Sequence, residues 1–132
     1  MVYNNNMVNS RQVLGTKPLD IRWNVTRGDS SSIRVQFLEL DEETSVDIST
    51  WIFEASAYDA KSKTFDDLEV EVDGNDVIIT APADLTEFWG RGIAKTVARI
   101  SFDLQIIVDR NTIWTPIVGT ITVIGDVTGG RL

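Results

Sequence analysis

Among the residues that could do chemistry the carboxylates stand foremost, because the 132 residues include neither histidine nor cysteine. The missing imidazole removes the usual general base near neutral pH and the commonest metal ligand. With no thiol either, Ser-His-Asp, Cys-His and zinc chemistry lie beyond these residues alone. Two carboxylate pairs invite comparison with glycoside hydrolysis, Glu54 with Glu87 and Asp103 with Asp109. Glu54 and Asp103, however, fall on the polar parity of alternating runs, which places them in solvent, so no enzyme is expected. Asp66, Asp67, Asp73 and Asp76 could supply oxygen ligands to calcium, but their spacing matches no ordered calcium loop. They read as a solvated acidic turn, and neither metal nor cofactor is expected.

Arg27-Gly28-Asp29 spells an adhesion tripeptide, and a β-turn accounts for it. Four tryptophans, Trp23, Trp51, Trp89 and Trp114, could form a sugar-stacking platform. Trp23 and Trp51 share parity with core residues. Trp89 stands beside Gly90, and Trp114 lies close to Pro116, so these two are the expected surface anchors. The chain has no phosphate loop, no dinucleotide fingerprint and no basic stripe with interleaved aromatics.

The elements that must position these groups are strands. Residues 98–128 read ARISFDLQIIVDRNTIWTPIVGTITVIGDVT, two alternating apolar runs about the polar turn Asp109-Arg110-Asn111. Ala98, Ile100, Phe102, Leu104 and Ile106 share one parity, which predicts a β-hairpin with one buried face. Such a hairpin must cover that face with a second sheet. Upstream, strands are predicted over residues 19–25, 33–40 and 51–58, the second with a parity shift at Leu38 and Leu40 that suggests a bulge. In the third, Ala55 and Ala57 would leave room for aromatics of the opposite sheet. Residues 59–67 read as a loop, followed by a hairpin that turns at Gly74-Asn75. Asp84 and Glu87 read as a capping pair for one helical turn carrying Leu85, Phe88 and Trp89. The expected fold is all-β: an antiparallel two-sheet β-sandwich, immunoglobulin-like, of about seven strands and one short helical turn.

Residues 1–18 are rich in Asn and weak in periodicity, and read as a flexible N-terminal arm. Residues 19–128 form the sandwich domain and 129–132 a C-terminal tail. In the arm, Tyr3, Arg11, Val13, Leu14 and Lys17 are the expected contacts to a neighbour, with too little apolar surface to fold alone. No apolar run approaches a membrane span and the N-terminus is polar, so a soluble protein without an export signal is expected. The net charge of −8 argues against a nucleic-acid partner. That charge is uneven: residues 1–36 carry +3, residues 37–87 carry −13 and residues 88–132 carry +2. A solvated acidic face explains the pattern. A basic end that meets the acidic face of a neighbour explains it too.

Several segments carry a resemblance. They are Asp29-Ser30, the run Val46-Asp47-Ile48-Ser49 before Trp51-Ile52-Phe53-Glu54-Ala55, Phe102-Asp103-Leu104-Gln105, Trp114, Gly119-Thr120-Ile121-Thr122-Val123 and Asp126-Val127-Thr128. Together they resemble small phage virion β-sandwich domains, as in actinobacteriophage minor tail proteins and the N-terminal domain of lactococcal phage upper baseplate proteins. The likeness spans residues 19–128. It departs from the family at the last hairpin, where Asp109-Arg110-Asn111 replaces a tight glycine turn, and no receptor-binding or stalk segment follows Leu132. The resemblance implies a non-enzymatic virion structural protein, a minor tail or baseplate component, made in the host cytoplasm and localised to the virion. Its partners would be other virion proteins and itself in a symmetric oligomer. A head decoration protein on the capsid surface, or a carbohydrate-binding module for host-envelope attachment, are the alternatives.

Overall fold

Period-two patterning becomes two sheets packed face to face. In the computed structural model the described residues are 2–5, as backbone, together with 18–38, 41, 43–89 and 97–125. Among them are β1 (Val2–Asn5), β2 (Leu19–Thr26), β3 (Ser31–Leu38), β4 (Ile52–Asp59), β5 (Thr64–Asp67), β6 (Glu69–Asp73), β7 (Asp76–Ala81), α1 (Ala83–Phe88), β8 (Val97–Asp109) and β9 (Thr112–Ile124). One sheet runs β3-β7-β6 with β1 added at the β3 edge; the other is five-stranded, in the order β2-β9-β8-β4-β5. The architecture is all-β and sandwich-like with one short helix.

Alternation decides which side chains the sheets trap between them. Ile33, Val35 and Phe37 of β3 and Val77, Ile79 and Ala81 of β7 face Ile21, Trp23 and Val25 of β2, Ile100, Phe102, Leu104 and Ile106 of β8, and Ile117, Ile121 and Val123 of β9. At the core's centre Phe102 meets Trp23 edge to face at 5.5 Å. Its strand neighbours are Ala57 on one side and Gly119 on the other. A Cβ at Gly119 would run into the Ile21 carbonyl and lie 2.7 Å from Phe102 Cε1. The Phe102 ring therefore occupies the space that a side chain at Gly119 would need.

The sheets are not wholly antiparallel. β2 pairs parallel with β9, Leu19 opposite Ile117 through Thr26 opposite Ile124. Residues 59–67, expected as a loop, contain β5, which pairs antiparallel with β4. The chain stays on β4 through the bond from Leu68 N–H to Ala55 carbonyl, 2.9 Å, and then crosses to the other sheet as β6. The part of the arm over Val2–Asn5 is a strand, set antiparallel to β3 with Tyr3 opposite Phe37. Arg11, Val13, Leu14 and Lys17 lie outside the described residues, as do residues 126–132. β3 ends at Leu38, so the bulge expected at Leu38 and Leu40 falls at its end, where residues 39 and 40 are not described.

The β6–β7 hairpin turns through Gly74 at φ +63°, the left-handed conformation a two-residue loop requires. The helix is capped differently from the expected pairing. Pro82 is the N-cap, its carbonyl accepting from Leu85 and Thr86 N–H at 3.1 Å, and Asp84 lies inside the first turn. No described helix is long and apolar enough to cross a membrane.

Candidate functional site

The outward residues of the five-stranded sheet line up in rows across the strands. One row is Asp20, Val118, Asp103, Ser56 and Asp67; the next is Arg22, Thr120, Ser101, Tyr58 and Phe65. Between these rows lies an open cleft of about 420 Å³, floored by Ala57, Phe102 and Gly119 and bounded by the side chains of Asp20, Ser56, Tyr58, Phe65, Ser101, Asp103 and Thr120. Phe65 is 76% exposed and its ring sits 4.5 Å from that of Tyr58, tilted by 36°. Further along the same face, at the hairpin end, Ile52, Ile107 and Ile113 form a third row. Ile52 is 57% and Ile113 61% exposed, so this apolar row meets solvent.

The outer face of the other sheet satisfies itself. Arg34 on β3 donates to Asp76 at 2.8 Å and to Asp73 at 3.0 Å, and these bonds, Asp76 first, raise its pKa further. Ser32 and Thr80 hydroxyls bond each other at 2.7 Å. Along its edge, β6 presents Glu69, Glu71 and Asp73 to solvent, charges that discourage pairing with another strand. In the loop after β3, Asp41 accepts from the Thr44 hydroxyl at 2.7 Å and from Thr44 and Glu43 N–H at 2.9 Å, which holds its carboxyl below the usual range.

No protein-family model and no curated protein sequence matches this chain. The site must be argued from its own residues.

Both expected surface anchors are buried. Trp89, 2% exposed, donates its indole N–H to Asp66 at 3.2 Å, and its carbonyl accepts from Arg27 Nε at 3.1 Å. Trp114 is 3% exposed and stacks edge-on with Phe37 and Trp51 at 6.2 and 6.4 Å. The cause is a bulge. Pairing shifts between Leu104–Ile117 and Ile106–Trp114, leaving an extra residue at 115–116, so Trp114 and Ile117 face the same core despite opposite parity. Pro116, taken as a surface signal, is buried at this bulge, one of the few sheet positions that tolerates a missing N–H.

The Arg-Gly-Asp run is a turn locked against α1. Arg27 is 1% exposed, and the Thr86 hydroxyl accepts from Gly28 N–H at 3.1 Å while donating to the Asp29 carbonyl at 2.8 Å. The four aspartates considered for calcium are dispersed: Asp66 is on Trp89, Asp73 and Asp76 are on Arg34, and Asp67 is exposed on β5. Glu54 and Asp103 are outward, in line with their parity.

What the sequence reading missed are the exposed Phe65 with the half-buried Tyr58 beneath it, and the isoleucine row. A signal for the row existed, since Trp51-Ile52-Phe53, Ile106-Ile107 and Ile113-Trp114 put apolar residues on both faces of their strands.

Burial in the cleft raises the pKa of Asp103. A carboxyl held higher in the folded than in the unfolded chain opposes folding above its folded pKa, and the opposition vanishes below the unfolded value. Asp103→Asn is therefore expected to match or exceed wild-type stability at about pH 7, with the gain lost by about pH 3. Urea denaturation at the two pH values checks this; a gain that grows on acidification contradicts it.

Proposed function

We propose that this chain is a non-enzymatic structural protein of a bacteriophage virion, a minor tail or baseplate component acting through protein–protein contacts. The resemblance of residues 19–128 to small phage virion β-sandwich domains suggests the class. We read the sandwich as immunoglobulin-like. The order β1-β3-β7-β6 corresponds to the A-B-E-D sheet, and β9-β8-β4-β5 to G-F-C with one added strand, while α1 occupies the E–F link.

The observation that carries the assembly reading is the row Ile52, Ile107 and Ile113. Three registered isoleucines on an outer face, bordered by polar residues, form an apolar patch of the kind that marks a contact between proteins. In a symmetric particle each such contact is repeated, so modest individual affinities add up to stable attachment.

The test compares copies per particle of wild-type protein and an Ile52→Ser/Ile113→Ser double variant on otherwise identical virions. Both side chains are exposed, so the isolated domain should lose less than about 1 kcal/mol. Occupancy should fall at least about tenfold, a loss of about 1.4 kcal/mol per site. Unchanged occupancy would remove this row from the docking surface.

A further inference from the structure

The cleft between the first and second rows of the five-stranded sheet gathers polar groups that have no partners among the described residues. On the other sheet, by contrast, Arg34 pairs with Asp73 and Asp76, and Ser32 with Thr80. In the cleft the carboxylates of Asp20 and Asp103 and the hydroxyls of Ser56, Ser101 and Thr120 converge without a hydrogen bond or ion pair among the described residues. They line the floor from β2 to β4, and at the β5 edge stands Phe65, whose ring is 76% exposed and backed by Tyr58.

We infer that this cleft binds an oligosaccharide, with one pyranose ring stacked on Phe65 beside Tyr58 at the β5 edge and the following sugar units bonded through their hydroxyls to Ser101, Asp103, Thr120 and, at the β2 edge, Asp20. A pyranose has an apolar C–H face and a rim of hydroxyls, so it needs both an aromatic surface and a mixed set of donors and acceptors. The aromatic pair supplies the first. Carboxylates accept strongly from hydroxyls, and Ser and Thr hydroxyls both donate and accept, which supplies the second. A volume of about 420 Å³ is that of a small-molecule site. A basic side chain from a protein would use the two carboxylates and the rings but leave the hydroxyls idle; a polyol engages the whole set. The inference stands independently of the virion reading, since the cleft and the isoleucine row occupy different parts of the sheet.

The experiment titrates the full chain with maltotriose, cellotriose and chitotriose and follows its amide NMR shifts. At least one sugar should saturate, at roughly millimolar Kd, with shifts centred on Ser101, Asp103 and Thr120. Phe65→Ala, at an exposed position that the fold does not need, should weaken binding at least about tenfold. Asp103→Asn keeps the shape and loses the charge, and should weaken it by about threefold or more. Val72→Ala, on the other sheet, should change nothing. No saturable shift with any of the three sugars overturns the inference, as does binding that survives both cleft variants. Shifts produced at the cleft only by trilysine, and abolished by salt, would assign it to a basic partner instead.

Discussion

Phe102→Ala is expected to destabilise the domain by about 3 to 5 kcal/mol, while Asp103→Ala, the next residue on the same strand, changes it by less than about 1 kcal/mol. The contrast follows from one peptide bond. Phe102 is 4% exposed, meets Trp23 edge to face and fills the space left by Gly119. Neighbouring backbone on two strands fixes the walls of that space, so truncation leaves a cavity that cannot readily collapse. Asp103 points the other way and loses only a partly desolvated carboxylate. Chemical denaturation of the two variants measures the difference. Equal losses would mean that β8 presents its other face to the core.

The second large effect concerns attachment. Deleting residues 1–16 is expected to abolish incorporation into particles while lowering the melting temperature only modestly. Residues 1–18 hold few large apolar side chains, too little to offset an ordering cost of about 1 to 2 kcal/mol per residue without surface from a neighbour. Tyr3, Arg11, Val13 and Leu14 would be lost together. An unchanged melting temperature would follow if the whole arm were free of the domain. The pairing of Val2–Asn5 with β3 revises this, because deletion strips an edge strand, and each kcal/mol lost is worth about 4 °C in a domain of this size. Arg11 and Lys17 would meet residues 41–43 of a neighbour, where Asp41 is kept ionised by Thr44 and Glu43, so incorporation should also weaken with salt. Normal occupancy of the truncated protein on particles would leave docking to the isoleucine row of the sandwich alone.

Where alternation is strict, the strands are legible in the sequence. β2, β4, β7 and the inward series Ile100, Phe102, Leu104 and Ile106 all follow from period two, and so does the outward placing of Glu54 and Asp103. Strand partnership is less local. Nothing in the residues of β2 tells whether it runs parallel or antiparallel to a strand almost a hundred positions later. β5 is four residues, Thr64-Phe65-Asp66-Asp67, too short and too polar to stand out from a loop. Trp114 was misplaced because Pro116 reads as a surface signal, whereas here it sits in a bulge that turns Trp114 to the core, and Trp89 because its burial depends on Asp66 and Arg27, distant in the chain. The cleft was illegible for the same reason: its groups come one or two at a time from β2, β4, β5, β8 and β9, and only the register assembles them.

The parallel junction of β2 with β9 also bears on mechanical load. If force is applied at Leu19 and at Ile124, β2 and β9 are drawn in opposite directions along a shared seam. Parallel register means that the eight paired positions from Leu19–Ile117 to Thr26–Ile124 are strained side by side, whereas an antiparallel neighbour pulled from one end would open one rung at a time. Loaded in that way, the seam would slip as a unit, as a clasp does, where an antiparallel pair would peel.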